Sequence, residues 1–211
     1  MRLVITAGPT REHLDPVRFL SNPSTGKMGF ALAAEAARRG HEVTLVAGPV
    51  ALKTPKGVRR IDVTSAREML AAVKASLAPS TVLIATAAVA DWRPATCARQ
   101  KLKKHAMQPV LRLVRNPDIL MSVKGVRKVG FAAETCRVTK EAARKCREKG
   151  LEFVVANDVT EKGSGFGTDT NRVTFVYPDG RCEKLPLLTK RRVASQILNR
   201  LRGGAARINM I

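Results

Sequence analysis

The chain of 211 residues is predicted to fold as a three-layer α/β domain, a Rossmann-like parallel sheet with helices on both faces. Three observations predict it. Short apolar runs alternate with amphipathic segments at helical spacing, the pattern that builds parallel sheets through crossover helices. The run at 81–91, TVLIATAAVAD, is apolar without alternation, as a strand covered on both faces requires. Hydrophobic residues make up 45% of the chain, enough for a large core and far from a disordered composition.

The elements follow in order. Residues 2–7, RLVITA, form a first strand that ends at the turn signal Gly8-Pro9-Thr10. Residues 27–39 carry apolar positions at helical spacing, with Arg38 and Arg39 in the last turn and Gly40 placed to end the helix. HEVTLVAGP is a second strand. The stretch from Asp62 to Ser76 contains a third strand–helix step, in which Thr64 or Ser65 caps SAREMLAAVKASL. After the run at 81–91, residues 92–115 show few helix or strand signals and are rich in Lys and Arg, so they read as a loop or arm. VRKVGFAAE, TKEAARKCREKG and LEFVVAND read as strand, helix and strand. NRVTFVYPDGRCEKLPL is a hairpin turning at Pro178-Asp179-Gly180, and TKRRVASQILNRLR is a final amphipathic helix. The predicted organisation is one α/β domain over 1–202, with arm or hairpin elements at 92–115 and 166–177 and a flexible tail at 203–211.

Composition narrows the function. No stretch approaches the roughly 20 apolar residues of a membrane span, and MRLVITAG reads as a strand rather than a signal peptide; a cytoplasmic protein is expected. Four widely spaced cysteines, Cys97, Cys136, Cys146 and Cys182, and three scattered histidines offer no zinc spacing and read as reduced thiols and isolated rings. The net charge of +21, from 38 Lys and Arg against 17 Asp and Glu, calls for an anionic partner. Nucleic acid is one candidate, but aromatics are only 4%, so stacking platforms are scarce, and no specific nucleic-acid partner is expected. A nicotinamide oxidoreductase is a fold-level alternative, weakened by the absence of GxGxxG after the first strand.

In an open parallel sheet, ligands bind beyond the carboxyl ends of the strands. Gly8 follows the first strand, and Ser24 and Gly26 precede the helix at Lys27, where small residues let backbone N–H groups approach an anion. Ala87, Ala88 and Ala90 leave room against the backbone, although such residues also serve as plain core. Asp91 at the strand end can orient a metal ion, Mg²⁺ the candidate, or a hydroxyl, where a lone Asp also serves as a cap or turn residue. KLKK at 101–104 suits neutralisation of a triphosphate, although such runs also serve as solvated faces. Asn116-Pro117-Asp118 is a turn with a helix cap, and Lys145 and Lys149 share a helix face.

Taken together, the segments ITAGPTRE at 5–12, LDPVRFLSNPSTGKMG at 14–29, VTLVAGPV at 43–50, ATAAVADWRPA at 85–95, KLKK at 101–104, NPDIL at 116–120, GFAAET at 130–135, ANDV at 156–159 and GFGTDTNRVT at 165–174 resemble the phosphopantothenoylcysteine synthetase family. That family is the ligase of coenzyme A biosynthesis. The resemblance runs in order over residues 3–200 and implies a two-step reaction. The carboxylate of 4′-phosphopantothenate attacks the α-phosphate of CTP, with ATP the alternative, giving an acyl-nucleotide and pyrophosphate; the cysteine amine then displaces the nucleotide.

The resemblance also implies the site. Lys101 matches a lysine that assists formation of the acyl-nucleotide, Asn22 an asparagine that holds the activated acyl group, and Arg18 an arginine at the phosphopantothenate end, with Ala88 beside the substrate. Gly8, Ser24, Gly26, Ala87, Asp91, Asn116, Pro117, Asp118, Phe131, Lys145 and Lys149 fall in the nucleotide site, with Phe131 near the base. Mg²⁺ accompanies the nucleotide, and no flavin is expected in this chain. A homodimer is implied, its sites completed by the arm at 92–115 and the segment at 166–177. The family's larger members carry a flavin-dependent decarboxylase; a stand-alone ligase or a piece of a bifunctional protein are both open. The basic CARQ at 97–100 stands where an acidic residue is expected.

Overall fold

A computed structural model gives the architecture and describes residues 1–105, 110–134, 138–158, 160–161 and 163–205. In chain order the strands and helices are β1 (Arg2–Ala7), β2 (Arg11–His13), β3 (Phe19–Ser21), α1 (Lys27–Arg38), β4 (Glu42–Ala47), β5 (Val58–Asp62), α2 (Ala66–Ser76) and β6 (Thr81–Ala85). They continue as β7 (Trp92–Pro94), β8 (Leu113–Arg115), α3 (Ile119–Ser122), β9 (Arg127–Glu134), α4 (Val138–Glu148) and β10 (Phe153–Asp158). The last are β11 (Thr170–Asn171), β12 (Thr174–Val176), β13 (Cys182–Lys184), β14 (Leu188–Thr189) and α5 (Lys190–Ala205).

Eight strands form one sheet in the order β13-β12-β10-β9-β6-β1-β4-β5. The six from β5 to β10 are parallel, and β12 and β13 add an antiparallel edge. The parallel part has the doubly wound order in which the chain leaves β1 toward one edge and β6 toward the other. Strand β1 is central, so every residue from Leu3 to Ala7 is buried. Leu3, Ile5 and Ala7 face a layer built by α1 and α5, where Leu32, Ala33, Ala36, Ile197, Leu198 and Leu201 are all at 0% exposure. Val4 points the other way, onto Met69 and Val73 of α2 and Ile119 of α3. That alternation is the period of two of a strand, apolar on both sides because both sides are covered.

Helix boundaries follow local chemistry. Ser65 is the cap of α2, its Oγ accepting from the Glu68 N–H at 3.2 Å, while the Thr64 N–H donates to the Glu68 carboxylate at 2.9 Å. This reciprocal pair satisfies two otherwise unpaired donors. Gly40 follows α1 with φ 75°, a left-handed position that ends the helix without a Cβ penalty. The hairpin of β12 and β13 turns where the sequence predicts, with the Gly180 N–H donating to the Tyr177 carbonyl.

Four expectations need correction. The run at 81–91 is not one strand: β6 stops at Ala85, because its neighbour β9 ceases to pair at Gly130 and residues beyond have a partner on one side only. The arm at 92–115 is anchored by a two-stranded ribbon, β7 against β8, with Trp92 opposite Arg115. Residues 166–177 are not one arm, since Thr174–Val176 belongs to the main sheet and only the part up to β11 is a separate loop. Helix α5 continues through residues 203–205 of the supposed tail; residues 206–211 lie outside the described residues.

Candidate functional site

The crevice opens beyond the carboxyl ends of β1 and β6, where their crossover connections leave toward opposite edges of the sheet. Past Ala7 the chain keeps parallel contact with residues 86–90 instead of turning away. The Ala88 N–H donates to the Gly8 carbonyl at 2.9 Å, the Ala87 N–H to Thr6 Oγ1 at 3.2 Å, and the Ala90 N–H to Thr10 Oγ1 at 3.0 Å. Small side chains at 87, 88 and 90 leave this backbone as the floor of a cavity of about 780 Å³. Asn22 sits at its edge, with its Nδ2 donating to the Ala88 carbonyl at 3.1 Å. One N–H and the carbonyl oxygen of that amide remain for a ligand.

The N-terminus of α1 forms one wall. Gly26 has φ 77° and caps the helix without any side-chain hydrogen bond, and the first turn carries no carboxylate. Its N–H groups and the positive end of the helix dipole therefore face the cavity. The fit depends on Gly29, where a Cβ would lie 2.5 Å from both Ala7 Cβ and Thr86 Oγ1. Gly8 does not line the cavity. It lies beneath Gly26 in a left-handed conformation, and a Cβ there would meet Val50 at 3.0 Å and the Gly48 carbonyl at 3.2 Å.

The opposite wall is α3 with α4. Asp118 caps α3 by accepting from the Met121 N–H at 3.0 Å, and its other oxygen pairs with Lys149 Nζ at 2.6 Å. Burial pushes the Asp118 carboxyl up, but Lys149 and the Met121 N–H outweigh it and hold it below the ordinary value. Asn116 positions this wall: its Nδ2 donates to the Ala90 carbonyl and its backbone N–H to the Asp91 carbonyl, both at 2.8 Å. From the sheet, Phe131 and Ala133 of β9 come in beside Asn157 of β10, which pairs with Ala133 in register. The last wall is the loop at 165–171 with Lys190 of α5 behind it.

Of the residues singled out in the sequence, Asn22, Ser24, Gly26, Ala87, Ala88, Asp91, Asn116, Pro117, Asp118, Phe131, Lys145 and Lys149 line this one cavity. Three do not. Gly8 underlies it; Arg18 and Lys101 lie outside it, close to each other. Arg18 is fixed by Asp15, whose buried carboxylate accepts from Arg18 Nη2 at 2.7 Å, and it also donates to the Leu102 carbonyl at 2.6 Å. Burial would raise the Asp15 carboxyl, yet the Val17, Arg18 and Leu102 N–H groups and the Arg18 guanidinium leave it well below the carboxylate range. This ties the root of KLKK to the turn at 15–18, with Lys101 exposed.

The sequence reading missed Lys27, Asn157, Asn171 and Lys190 as cavity residues. For Asn157 a signal existed, because it ends a strand at the carboxyl edge; Lys190 is a buried helix start that only the packing of α5 brings near. The cavity thus presents five cationic side chains (Lys27, Arg115, Lys145, Lys149, Lys190) against two carboxylates, Asp91 and Asp118. Among the described residues no cluster of three His, Cys, Asp or Glu could hold a metal by itself. No helix among them is long and apolar enough to cross a membrane.

The sequence profile described as DNA/pantothenate metabolism flavoprotein C-terminal domain matches residues 1–203. The chain is 48% identical over 206 residues to the coenzyme A biosynthesis bifunctional protein CoaBC of Escherichia coli (strain K12), covering 94% of this chain and 50% of that protein. The CoaBC of Bacillus subtilis (strain 168) is 47% identical over 204 residues, again with 94% of this chain and 50% of the relative covered. The chain therefore spans about half the length of the curated relatives it matches. A crystal structure of the C-terminal domain of CoaBC superposes with a TM-score of 0.82 at 42% identity, covering 97% of this chain and 95% of that one. With nearly its whole length matched, and a solved relative of the same fold, the chain belongs to the DNA/pantothenate metabolism flavoprotein C-terminal domain family.

Proposed function

We propose that this chain is a phosphopantothenate–cysteine ligase that activates its carboxylate substrate with CTP. The observation that carries the reading is the cavity beyond the carboxyl ends of β1 and β6, where the N-terminus of α1 faces a wall that carries Lys145 and Lys149 across space for a polyanion. Family membership supplies the pathway, because the relatives are named for coenzyme A biosynthesis.

A carboxylate is a poor acyl donor until its oxygen becomes part of a good leaving group, and transfer to an α-phosphate achieves this. In the first half-reaction the carboxylate oxygen forms a bond to the α-phosphorus and pyrophosphate departs. In the second the cysteine nitrogen forms the amide bond, loses a proton, and CMP leaves with the acyl C–O bonding pair. Lys145 and Lys149 lie where their charge opposes that of the phosphates, and the Gly26 turn offers backbone donors. Asn22, held by the Ala88 carbonyl, presents its second N–H to the activated acyl oxygen. Phe131 supplies an apolar face for the base. Asp91 is exposed and borders the cavity as a single carboxylate, which fits Mg²⁺, an ion that takes one or two carboxylates and completes its shell with phosphates and water. Bound there, Mg²⁺ would offset triphosphate charge.

Arg18 and Lys101 lie together outside the cavity, which favours a homodimer in which the arm of one protomer completes the site of the other. The bifunctional names of the relatives suit a decarboxylase that consumes the product. The test is pyrophosphate release from 4′-phosphopantothenate with Mg²⁺ and either CTP or ATP, with and without cysteine, on wild type and Lys101→Ala. CTP-dependent release lost in the variant supports the reading. A folded wild-type protein silent with both nucleotides sinks it.

A further inference from the structure

Two lysines that no step above uses grip the same short loop. Lys190, the first residue of α5 and 6% exposed, donates from Nζ to the Gly165 carbonyl at 3.1 Å and to the Thr168 carbonyl at 2.5 Å. Its backbone N–H donates to the Asp169 carbonyl at 2.9 Å. Lys27, the first residue of α1, donates to the Gly167 carbonyl at 2.8 Å and pairs with the Asp169 carboxylate at 2.7 Å. Loop 165–169 is thus held from two helices through four backbone carbonyls and one carboxylate.

The loop needs such holding. Gly163, Gly165 and Gly167 all have φ between 81° and 93°, and glycine loses more freedom on ordering than any other residue. Side chains close its base, with Ser164 Oγ donating to Asn171 Oδ1 and Thr170 Oγ1 to the Gly163 carbonyl, both at 2.6 Å. The one large apolar side chain of the tip, Phe166, is 42% exposed. Yet Gly165 and Phe166 form a wall of the cavity. Burying an ammonium is costly without partners, and the carbonyls supply them. The same burial, with Lys27 nearby, lowers the Lys190 pKa.

We infer that Lys27 and Lys190 are positioning residues that act through loop 165–169, clamping Gly165 and Phe166 as the wall against which the nucleotide binds. This rests on the nucleotide occupying the cavity as proposed above. The rival arrangement is direct, with Lys27 releasing Asp169 to contact phosphate itself, and the two predict opposite signs for one substitution. Asp169→Asn removes the carboxylate that holds Lys27. If Lys27 works through the loop, the variant raises the nucleotide KM; if Lys27 touches phosphate, freeing it lowers that KM.

The experiment measures KM for nucleotide, phosphopantothenate and cysteine, and amide hydrogen exchange of the 163–171 segment without ligand, in wild type, Asp169→Asn, Lys190→Met and the double variant. Expected are nucleotide KM increases of about threefold for Asp169→Asn and about tenfold for Lys190→Met. The cysteine KM should be unchanged, the double variant less than additive, and exchange faster in the segment for each variant. A lowered nucleotide KM in Asp169→Asn, equal rises in all three KM values, or unchanged exchange in Lys190→Met would each overturn the clamp. A wild type inactive with every nucleotide would refute the ligase reading instead, while the exchange measurement would still decide whether the lysines hold the loop.

Discussion

Glu35 lies on the core-facing side of α1 and is only 4% exposed, an unusual place for a carboxylate. It is tolerated because Arg38 and Arg39 both reach it, at 2.8 Å each, and Arg39 continues to Asn199 on α5 at 2.7 Å. The hydrogen bond from Arg38 is the largest influence and, opposed by burial, brings the Glu35 carboxyl down to about 2. Because this folded-state value lies below the ordinary 4.5, the ionised pair stabilises the fold above about pH 4.5 and loses that contribution as pH falls toward 2. Glu35→Gln is expected to cost about 1–3 kcal/mol near neutral pH, since two guanidinium groups lose a charged acceptor. Denaturant melts across pH should show the difference from wild type shrinking through that acid range. A difference independent of pH would mean that shape, not charge, is what Glu35 contributes.

At the scale of elements, the start of α1 does most to shape the site. Gly29 permits the helix to begin against Ala7 and Thr86, with no space for a Cβ on either. Gly29→Ala is expected to push the helix off β1, costing about 1–3 kcal/mol by overpacking and weakening nucleotide binding by displacing the Gly26 turn. Thermal melts and nucleotide titration measure the two effects, and tight binding in a destabilised variant would separate helix position from the site. Much at this scale was legible in the sequence. Gly40 as a helix end, a cap at Thr64 or Ser65 (the structure uses Ser65) and Gly180 in a turn follow from φ requirements and side-chain oxygens within a few residues. The end of β6 at Ala85 was not legible, because Ala87 to Ala90 prolong its apolar run without a turn signal. What stops the strand there is the loss of a neighbour, a partner distant in sequence.

At the scale of the whole molecule, the placement of Arg18 argues for assembly. It is locked onto Asp15 and the Leu102 carbonyl, outside the cavity that Asn22 lines in the same chain. If one protomer's Arg18 serves its partner's Asn22, inactive Arg18→Gln and Asn22→Ala proteins should complement when mixed and exchanged. Random pairing in a two-fold dimer leaves one intact site in each mixed dimer, so roughly a quarter of wild-type activity should return. Absence of any recovery, with subunit exchange verified, would place both residues in one protomer's site. The positive charge has a local part: from Trp92 to Arg115 there are seven Lys and Arg and no carboxylate, and the two ends of that segment, Trp92 and Arg115, line the cavity.

The sequence by itself determined the class of fold and the order of its main elements, and named twelve of the residues that line the cavity. Fold class and element order are written in local periodicity, and the carboxyl ends of the strands say where ligands bind; the individual site residues came largely from the family resemblance. Only the tertiary structure decided that Lys27 and Lys190, 163 positions apart, meet on one loop, and that Arg18 and Lys101 stand outside the cavity they were expected to serve. The physical reason is range. Periodicity and capping act over a turn or two of chain, whereas a buried ammonium takes whichever carbonyls the packed helices bring within about 3 Å.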